Sequence, residues 1–254
     1  MAVSRWLSTV SSMVLAAFFA SDDASAQNAA KIGVASAVKN SVEGTTGGSV
    51  RPLAAGSSVF AREVVRTGDE STAQLLFLDE TSLSIGPQSE VTLDRFVFNP
   101  NKGAGNVVIN ATRGAFRFIS GSQQSSSYQI KTPVATIGVR GTIFDLYLAR
   151  NNQGQWVVVL ILVEGATTTT IGGKVYNLTK SGQALVMTEG GGIQQLNWDS
   201  TLFSVVSNVP FPLFGNHWPN DPQWTHIPNF PQDRIEQVLG GGPAFVPSDG
   251  GCGC

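Results

Sequence analysis

The sequence contains only two cysteines, Cys252 and Cys254, and both lie at the end of the chain with one residue between them. A disulfide across a single residue would be strained, so it cannot hold a core together. A C-x-C pair could instead bind a metal or exchange thiols, but no further cysteine completes such a site, and a plain tail is the simpler interpretation. The fold must therefore be stabilised by packing rather than by disulfides.

The sequence also has few histidines and almost no net charge. The two histidines, His217 and His226, flank Asp221 and lack a recognised zinc-ligand spacing. The 16 basic residues nearly balance the 18 acidic ones, which leaves no charge excess for binding a nucleic acid or a membrane surface. We therefore expect no metal, no cofactor and no nucleic-acid partner.

Catalytic motifs are also missing. The sequence has no G-x-S-x-G elbow, phosphate-binding loop, H-E-x-x-H pair or dinucleotide fingerprint. A pair of carboxylates could in principle cleave a glycosidic bond. The candidates lie mostly in or near turns or on alternating strands, where solvent-exposed side chains are usual, so we expect a protein that is not an enzyme. These candidates are Asp79, Glu80, Asp94, Asp145 and Glu164.

No hydrophobic run reaches the length of about 20 apolar residues that a membrane span requires. The apolar stretch 7–20 is interrupted by serine and threonine, follows Arg5 and precedes the small residues Ala24-Ser25-Ala26. This arrangement is typical of a secretory signal peptide over residues 1–26. We expect a mature chain that starts at Gln27, has no membrane span and is periplasmic or secreted.

Residues 31–193 are rich in β-branched, aromatic and aliphatic residues in short runs, which Gly, Asn and Asp interrupt. This pattern predicts an all-β domain of many short strands. Because the glycines recur at irregular distances, a single β-roll or jelly-roll-like body is favoured, with a short irregular β-helix as the alternative. The predicted strands are 31–38, 58–65, 72–78, 83–85, 91–98, 106–109, 115–119, 128–131, 134–139, 142–148, 156–163, 167–171, 174–178 and 183–187.

Two of these strands carry more specific predictions. The stretch 156–163 is apolar on both faces, which predicts a central strand that is covered on both sides. The four threonines at 167–170 instead indicate an edge strand with one face in water.

The most constrained short motif lies in the stretch from Thr132 to Leu146. Gly138 and Gly141 bracket Val139-Arg140, which predicts a tight corner in the backbone. We expect the guanidinium of Arg140 to clamp this corner by binding backbone oxygens or a nearby carboxylate, and an anion or partner contact is the alternative. The candidate site residues are Arg140, Gly138, Gly141, Thr142 and the two acids best placed to pair with Arg140, Asp145 and Glu164.

Several short motifs occur in an order that resembles the FecR-type periplasmic domain. They are I-G-x-A at 32–35, R-T-G at 66–68, the run 72–79, T-P at 132–133, G-V-R-G-T at 138–142, E-G at 164–165 and S-G-Q at 181–183. The similarity spans residues 31–187, and the combination is more specific than any one motif.

The resemblance implies a non-catalytic extracytoplasmic β domain. In the signalling members, such a domain follows a cytoplasmic anti-sigma region and one membrane helix, and it passes a signal from an outer-membrane receptor to a sigma factor. Neither of those two regions is seen in this sequence, so we expect a binding, sensing or scaffold module for another envelope component. A polysaccharide-binding or polysaccharide-acting secreted protein is the alternative.

The composition changes after residue 193. Eight of the 12 prolines lie between Pro210 and Pro247, which predicts an extended segment with one or two short helices. We therefore expect three parts in the mature chain: a FecR-like β domain at 27–193, a Pro- and aromatic-rich extension at 194–239, and a disordered Gly-rich tail at 240–254.

Two tryptophans of the extension, Trp218 and Trp224, could stack on sugar rings or bind a protein partner. Packing of both side chains on the β body is favoured over these contacts, because burying a large apolar side chain contributes about 1.5–3 kcal/mol.

Overall fold

A computed structural model describes residues 29–98, 105–124 and 127–197 of the chain. Nearly all of them lie in strands or in the turns between strands, so the all-β prediction is confirmed. The fifteen strands are β1 (Lys31–Lys39), β2 (Val42–Thr46), β3 (Ser49–Pro52), β4 (Ser58–Phe60), β5 (Val64–Thr67), β6 (Thr72–Phe77), β7 (Ser82–Ile85), β8 (Glu90–Val97), β9 (Asn106–Ile119), β10 (Tyr128–Lys131), β11 (Thr136–Arg150), β12 (Trp156–Ile171), β13 (Lys174–Leu178), β14 (Gln183–Thr188) and β15 (Ile193–Asn197).

All fifteen strands belong to one hydrogen-bonded sheet that folds back on itself into two layers. The long strands β9, β11 and β12 run through both layers and change partners midway. The upper layer has the order β15-β14-β12-β11-β9-β7-β6-β1-β4. The lower layer has the order β13-β12-β11-β10-β9-β8-β5-β2-β3.

Each long strand bends at a glycine with a positive φ. These are Gly114 in β9, Gly141 in β11 and Gly165 in β12, with φ of 104°, 55° and 85°. A Cβ on Gly165 would lie 2.0 Å from the carbonyl oxygen of Gly141, and a Cβ on Gly114 would lie 2.0 Å from Oγ of Ser89. Glycine is therefore required at these two bends both for conformation and for space.

The hydrophobic core fills the space between the layers. Phe118 of the upper layer contacts Tyr128 of the lower layer edge to face, with ring centroids 5.7 Å apart. Phe77 and Phe96 also meet across the layers, but their rings are stacked, with centroids 5.6 Å apart. The alternation of side chains along each strand thus directs one face of each layer into a shared interior.

The outward faces of the two layers differ. In the lower layer, alternate side chains of β10, β11 and β12 are exposed, including Lys131, Arg140 and Thr168. In the upper layer, β12 is buried on both faces and lies between β11 and β14, which confirms the central strand predicted for 156–163. The second half of β12 has the predicted wet face, but it is not an edge, because β13 pairs with it.

Three pairs of predicted strands are continuous in the structure. The pairs 106–109 with 115–119, 134–139 with 142–148, and 156–163 with 167–171 become β9, β11 and β12. A glycine bend turns each strand without ending its ladder of hydrogen bonds, which the sequence pattern could not distinguish from a break. Strands β2, β3 and β15 were not predicted, and the helices and tail expected after residue 198 lie outside the described residues.

Candidate functional site

The predicted corner exists, and Thr142 holds it together. The Thr142 side chain is buried, and its hydroxyl donates a hydrogen bond to the carbonyl oxygen of Ala166 at 2.6 Å. The same oxygen accepts hydrogen bonds from the backbone N–H of Arg140 at 3.0 Å and of Ala166 at 3.3 Å. The backbone N–H of Thr142 donates to Oγ of Ser120 at 2.8 Å. One threonine thus joins β11 to β12 and to the end of β9 at the bend.

Arg140 and Glu164, by contrast, are exposed charges at the same corner. Within the described ranges, neither side chain makes a hydrogen bond or an ion pair. Arg140 lies opposite Ala166 in the ladder, and Gly138 lies opposite Thr168. The backbone contacts expected from the guanidinium are therefore made by the hydroxyl of Thr142, and Arg140 points its charge away from the core.

Asp145 belongs to a different ion pair. Its carboxylate binds Arg117 in a bidentate geometry, with Nε to Oδ1 and Nη2 to Oδ2 both at 2.6 Å. The prediction that Asp145 pairs with Arg140 is therefore wrong, because Asp145 follows the bend and faces outward from the upper layer, directly across from Arg117 on β9. Sequence reasoning missed Arg117, although its place between Phe116 and Phe118 puts it on the face opposite the core.

Burial controls the protonation of this pair. Arg117 and Asp145 are only 7% and 8% exposed. Burial raises the pKa of Asp145, and the hydrogen bonds and charge of Arg117 oppose that increase. Burial disfavours the charged form of Arg117, but Asp145 outweighs it, so the pKa of the guanidinium also lies above its ordinary value. Burial raises the pKa of the neighbouring Tyr147 well above its ordinary value, so its phenol stays neutral.

A second buried carboxylate, Asp79, fastens a turn. Its oxygens accept hydrogen bonds from the N–H and hydroxyl of Thr81, from Nε2 of Gln123 at 2.7 Å and from the hydroxyl of Tyr128 at 3.0 Å. These contacts tie the β6–β7 turn to the loop before β10. A carboxylate that accepts four hydrogen bonds is satisfied where it stands, so its role here is structural.

The remaining candidates do not come together. Glu80 lies in the β6–β7 turn, Asp94 lies in β8 and Glu164 lies at the corner. No group of three or more His, Cys, Asp or Glu side chains that could hold a metal ion is found in the parts of the chain that the structure describes. The tryptophans Trp218 and Trp224 lie outside those parts. Across the described residues, no helix is long and apolar enough to cross a membrane.

Fold and site together define a two-layer β domain whose buried ionic groups fasten its own strands and whose corner displays free charges. Residues 63–168 match the model of the FecR protein family, which confirms the resemblance over that stretch. The match begins before β5, includes the corner and ends within β12.

The other comparisons add little. A search of curated proteins finds no match. The chain is similar to two crystal structures, at 1.65 and 2.50 Å resolution, of a candidate anti-sigma factor from Parabacteroides distasonis. In each case the identity is 12%, the TM-score is 0.44 and the similarity covers 56% of this chain. The chain spans 63% and 62% of the length of those two structures.

Proposed function

We propose that this chain is a non-enzymatic module of the bacterial cell envelope that senses or holds another envelope component, and that it does so by binding a protein. The observation that carries the proposal is the FecR match over residues 63–168. What that family implies is a domain that recognises an envelope protein rather than one that transforms a substrate. Neither the match nor the described part of the chain favours the polysaccharide alternative.

We place the contact at the corner of β11 and β12. This corner lies inside the matched stretch, and it presents Arg140 and Glu164 with no partner among the described side chains. A free guanidinium offers five donors in a fixed fork, which suits a carboxylate or a row of carbonyl oxygens on another protein. Thr142 keeps the backbone beneath it rigid, so the fork is presented from a fixed position.

A charge-reversal experiment tests this placement. The mature chain, the variant Arg140→Glu and the control Lys39→Glu are each used to capture proteins from the native envelope. Lys39 is also exposed, and it lies at the end of β1, away from β11 and β12. We expect Arg140→Glu to weaken binding of the captured protein about tenfold, which is about 1.4 kcal/mol, and Lys39→Glu to leave it unchanged.

Two results would contradict the proposal. Equal binding by Arg140→Glu and Lys39→Glu would show that the corner is not the contact. Release of a small-molecule product by the purified chain would contradict the non-enzymatic assignment. Circular dichroism of each variant controls for folding. Deleting residues 210–254 in the same capture experiment shows whether the extension takes part in binding.

Export is part of the same proposal. We propose a periplasmic or secreted location with cleavage before Gln27, as the small residues Ala24 and Ala26 indicate. N-terminal sequencing of the protein from its native cells tests the cleavage point, and a product that keeps residues 1–26 in a membrane fraction would contradict it. The division into 27–193, 194–239 and 240–254 also remains a proposal, and β15 extends the described sheet to Asn197.

A further inference from the structure

The outward face of the upper layer is apolar and buried, although every described strand lies within the sheet itself. We call this surface the covered face and define it by Val157, Val159, Ile161, Tyr147, Ala184 and Val186. Register places Val186, Val159 and Tyr147 side by side across β14, β12 and β11, and Ala184 and Ile161 in the next row. Their exposure ranges from 0% to 6%.

These side chains do not face the interior between the layers. Along β12, Val158, Leu160 and Leu162 point into the shared core, so Val157, Val159 and Ile161 point the other way. Strands that are apolar on both sides occur where both sides are covered. The covered face therefore needs a layer of its own above it.

The same row continues into buried polar groups. Beyond Ile161 it passes through Asp145 and Arg117 to Ser84 and Gln74, all of which are buried. An ion pair in open solvent would not be desolvated in this way. The outward face of the lower layer shows the contrast, since Lys131, Arg140 and Thr168 there are exposed.

We propose that the covered face is the docking site of the chain's own residues 198–239. The last described strand, β15, pairs with β14, so the chain leaves the sheet at the edge next to Val186 and Ala184. Trp198 follows at once, and the segment adds Phe203, Phe211, Phe214, Trp218 and Trp224. Aromatic side chains of this kind are suited to filling an apolar face.

The length of the segment is sufficient. The covered face and its polar continuation extend over β14, β12, β11, β9, β7 and β6. Strands lie about 4.8 Å apart, so this distance is roughly 25–30 Å, which about nine extended residues at about 3.3 Å each would cross. Residues 198–239 can therefore cross the face more than once, and the prolines favour extended passes over long helices. This inference is independent of the contact proposed at the corner.

Photocrosslinking in the full mature chain tests the proposal. The photoreactive residue p-benzoylphenylalanine replaces Tyr147, in the middle of the covered face, and the crosslinked peptides are identified by mass spectrometry. The control carries the same residue at Thr168, which lies on the exposed face of the neighbouring strand, β12. We expect position 147 to capture residues within 198–239 of the same chain and position 168 not to capture them.

A second probe protects the test against misfolding. If the Tyr147 variant does not fold, the photoreactive residue is placed at Ile143, which is half-buried at the border of the same face. Crosslinks between two chains would assign the face to a second copy, and crosslinks only to an added envelope protein would assign it to a partner. Either result, or no capture of residues 198–239 by a folded variant, overturns the proposal.

Cutting the chain provides an independent measurement. A protease site is inserted after Asn197, and the folded protein is cleaved and passed over a gel-filtration column. We expect the fragment that begins at Trp198 to co-elute with the β domain. Elution of that fragment alone, with a β domain that stays monomeric and keeps its circular dichroism spectrum, overturns the proposal.

Discussion

At the scale of single residues, a short hydroxyl side chain carries the corner that a long charged one was expected to carry. Thr142 is close enough to the backbone to reach three groups from one buried oxygen. Arg140, two positions earlier, lies on the outward face of the lower layer, where its charge stays hydrated. Burial therefore explains why Thr142 rather than Arg140 makes these contacts, since burying an unpaired guanidinium beneath the bend would be costly.

Replacing Thr142 with valine should destabilise the fold by about 1–3 kcal/mol, because the change leaves partly buried backbone groups of Arg140 and Ala166 without a partner. The midpoint of urea unfolding measures the effect. Thr168→Val, an identical change at an exposed site of β12, is the control and should shift the midpoint little. Equal shifts in the two variants would show that the corner does not depend on the hydroxyl.

Arg117→Met should cost about 3–5 kcal/mol at neutral pH, since it leaves the carboxylate of Asp145 buried without its partner. The folded-state pKa of Asp145 already lies above 3.8. The stability linked to this group is therefore fully present below pH 3.8 and is lost as the pH rises through the folded pKa. Removing Arg117 removes the opposing interactions and raises that pKa further, so the loss extends over a wider range of pH.

The cost of Arg117→Met should consequently shrink as the pH is lowered and Asp145 takes up a proton. Urea unfolding at a series of pH values measures this trend. The double variant Arg117→Met, Asp145→Asn lacks the carboxylate and should show no such trend. A cost that is independent of pH in the single variant would mean that Asp145 is not buried and ionised as the structure indicates.

At the scale of elements, the bent strands are what make two layers from one sheet. Gly165 and Gly141 pass so close to each other that any side chain at position 165 would meet the carbonyl oxygen of Gly141. The two bends therefore depend on one another, and a change at one should disturb both strands.

Gly165→Ala should destabilise the protein by more than about 2 kcal/mol, through the positive φ together with the steric clash. Gly173→Ala is the matched control. Gly173 has a similar φ of 79°, but a Cβ there would meet nothing within 4 Å, so only the conformational cost of about 1–2 kcal/mol remains. Thermal unfolding of both variants measures the difference. Equal losses of stability in the two variants would show that the close approach of Gly165 to Gly141 does not constrain the fold.

The elements also show how far the sequence could be read. The continuous apolar run 156–163 predicted a strand covered on both faces, because a double-sided apolar pattern has few other interpretations. The glycines around Arg140 predicted a corner, because glycine tolerates the backbone conformations that a tight bend requires. The pairing of Asp145 with Arg117 could not be predicted from the sequence. It depends on which strand lies beside β11, and the local pattern of side chains does not identify that strand. The lower layer's β2 and β3 were missed because their short run holds glycines and threonines rather than an apolar alternation.

At the scale of the whole molecule, the interior between the layers and the covered face are two separate apolar surfaces. The first is closed by the sheet itself. We propose that residues 198–239 cover the second, which leaves the last residues of the chain without a predicted role in folding.

Deleting residues 240–254 should therefore leave the melting temperature unchanged within error, because glycine-rich sequence offers few side chains to pack. Differential scanning calorimetry of the two chains measures it. The longer deletion of residues 198–254 serves as the contrast and should lower the melting temperature. A decrease of about 10 °C on removing 240–254 alone would show that the tail docks as well.

The strand order of the upper layer has a consequence for when the protein can fold. The second half of β9 lies between β7, which precedes it in sequence, and β11, which comes after it. The first half of β12 likewise lacks its second neighbour until β14, which follows it in sequence, has formed. Pairings between strands far apart in sequence slow folding, since long loops must close before any contact stabilises them. An emerging chain of this kind stays unfolded until most of its length is available, which fits the export that we propose for it.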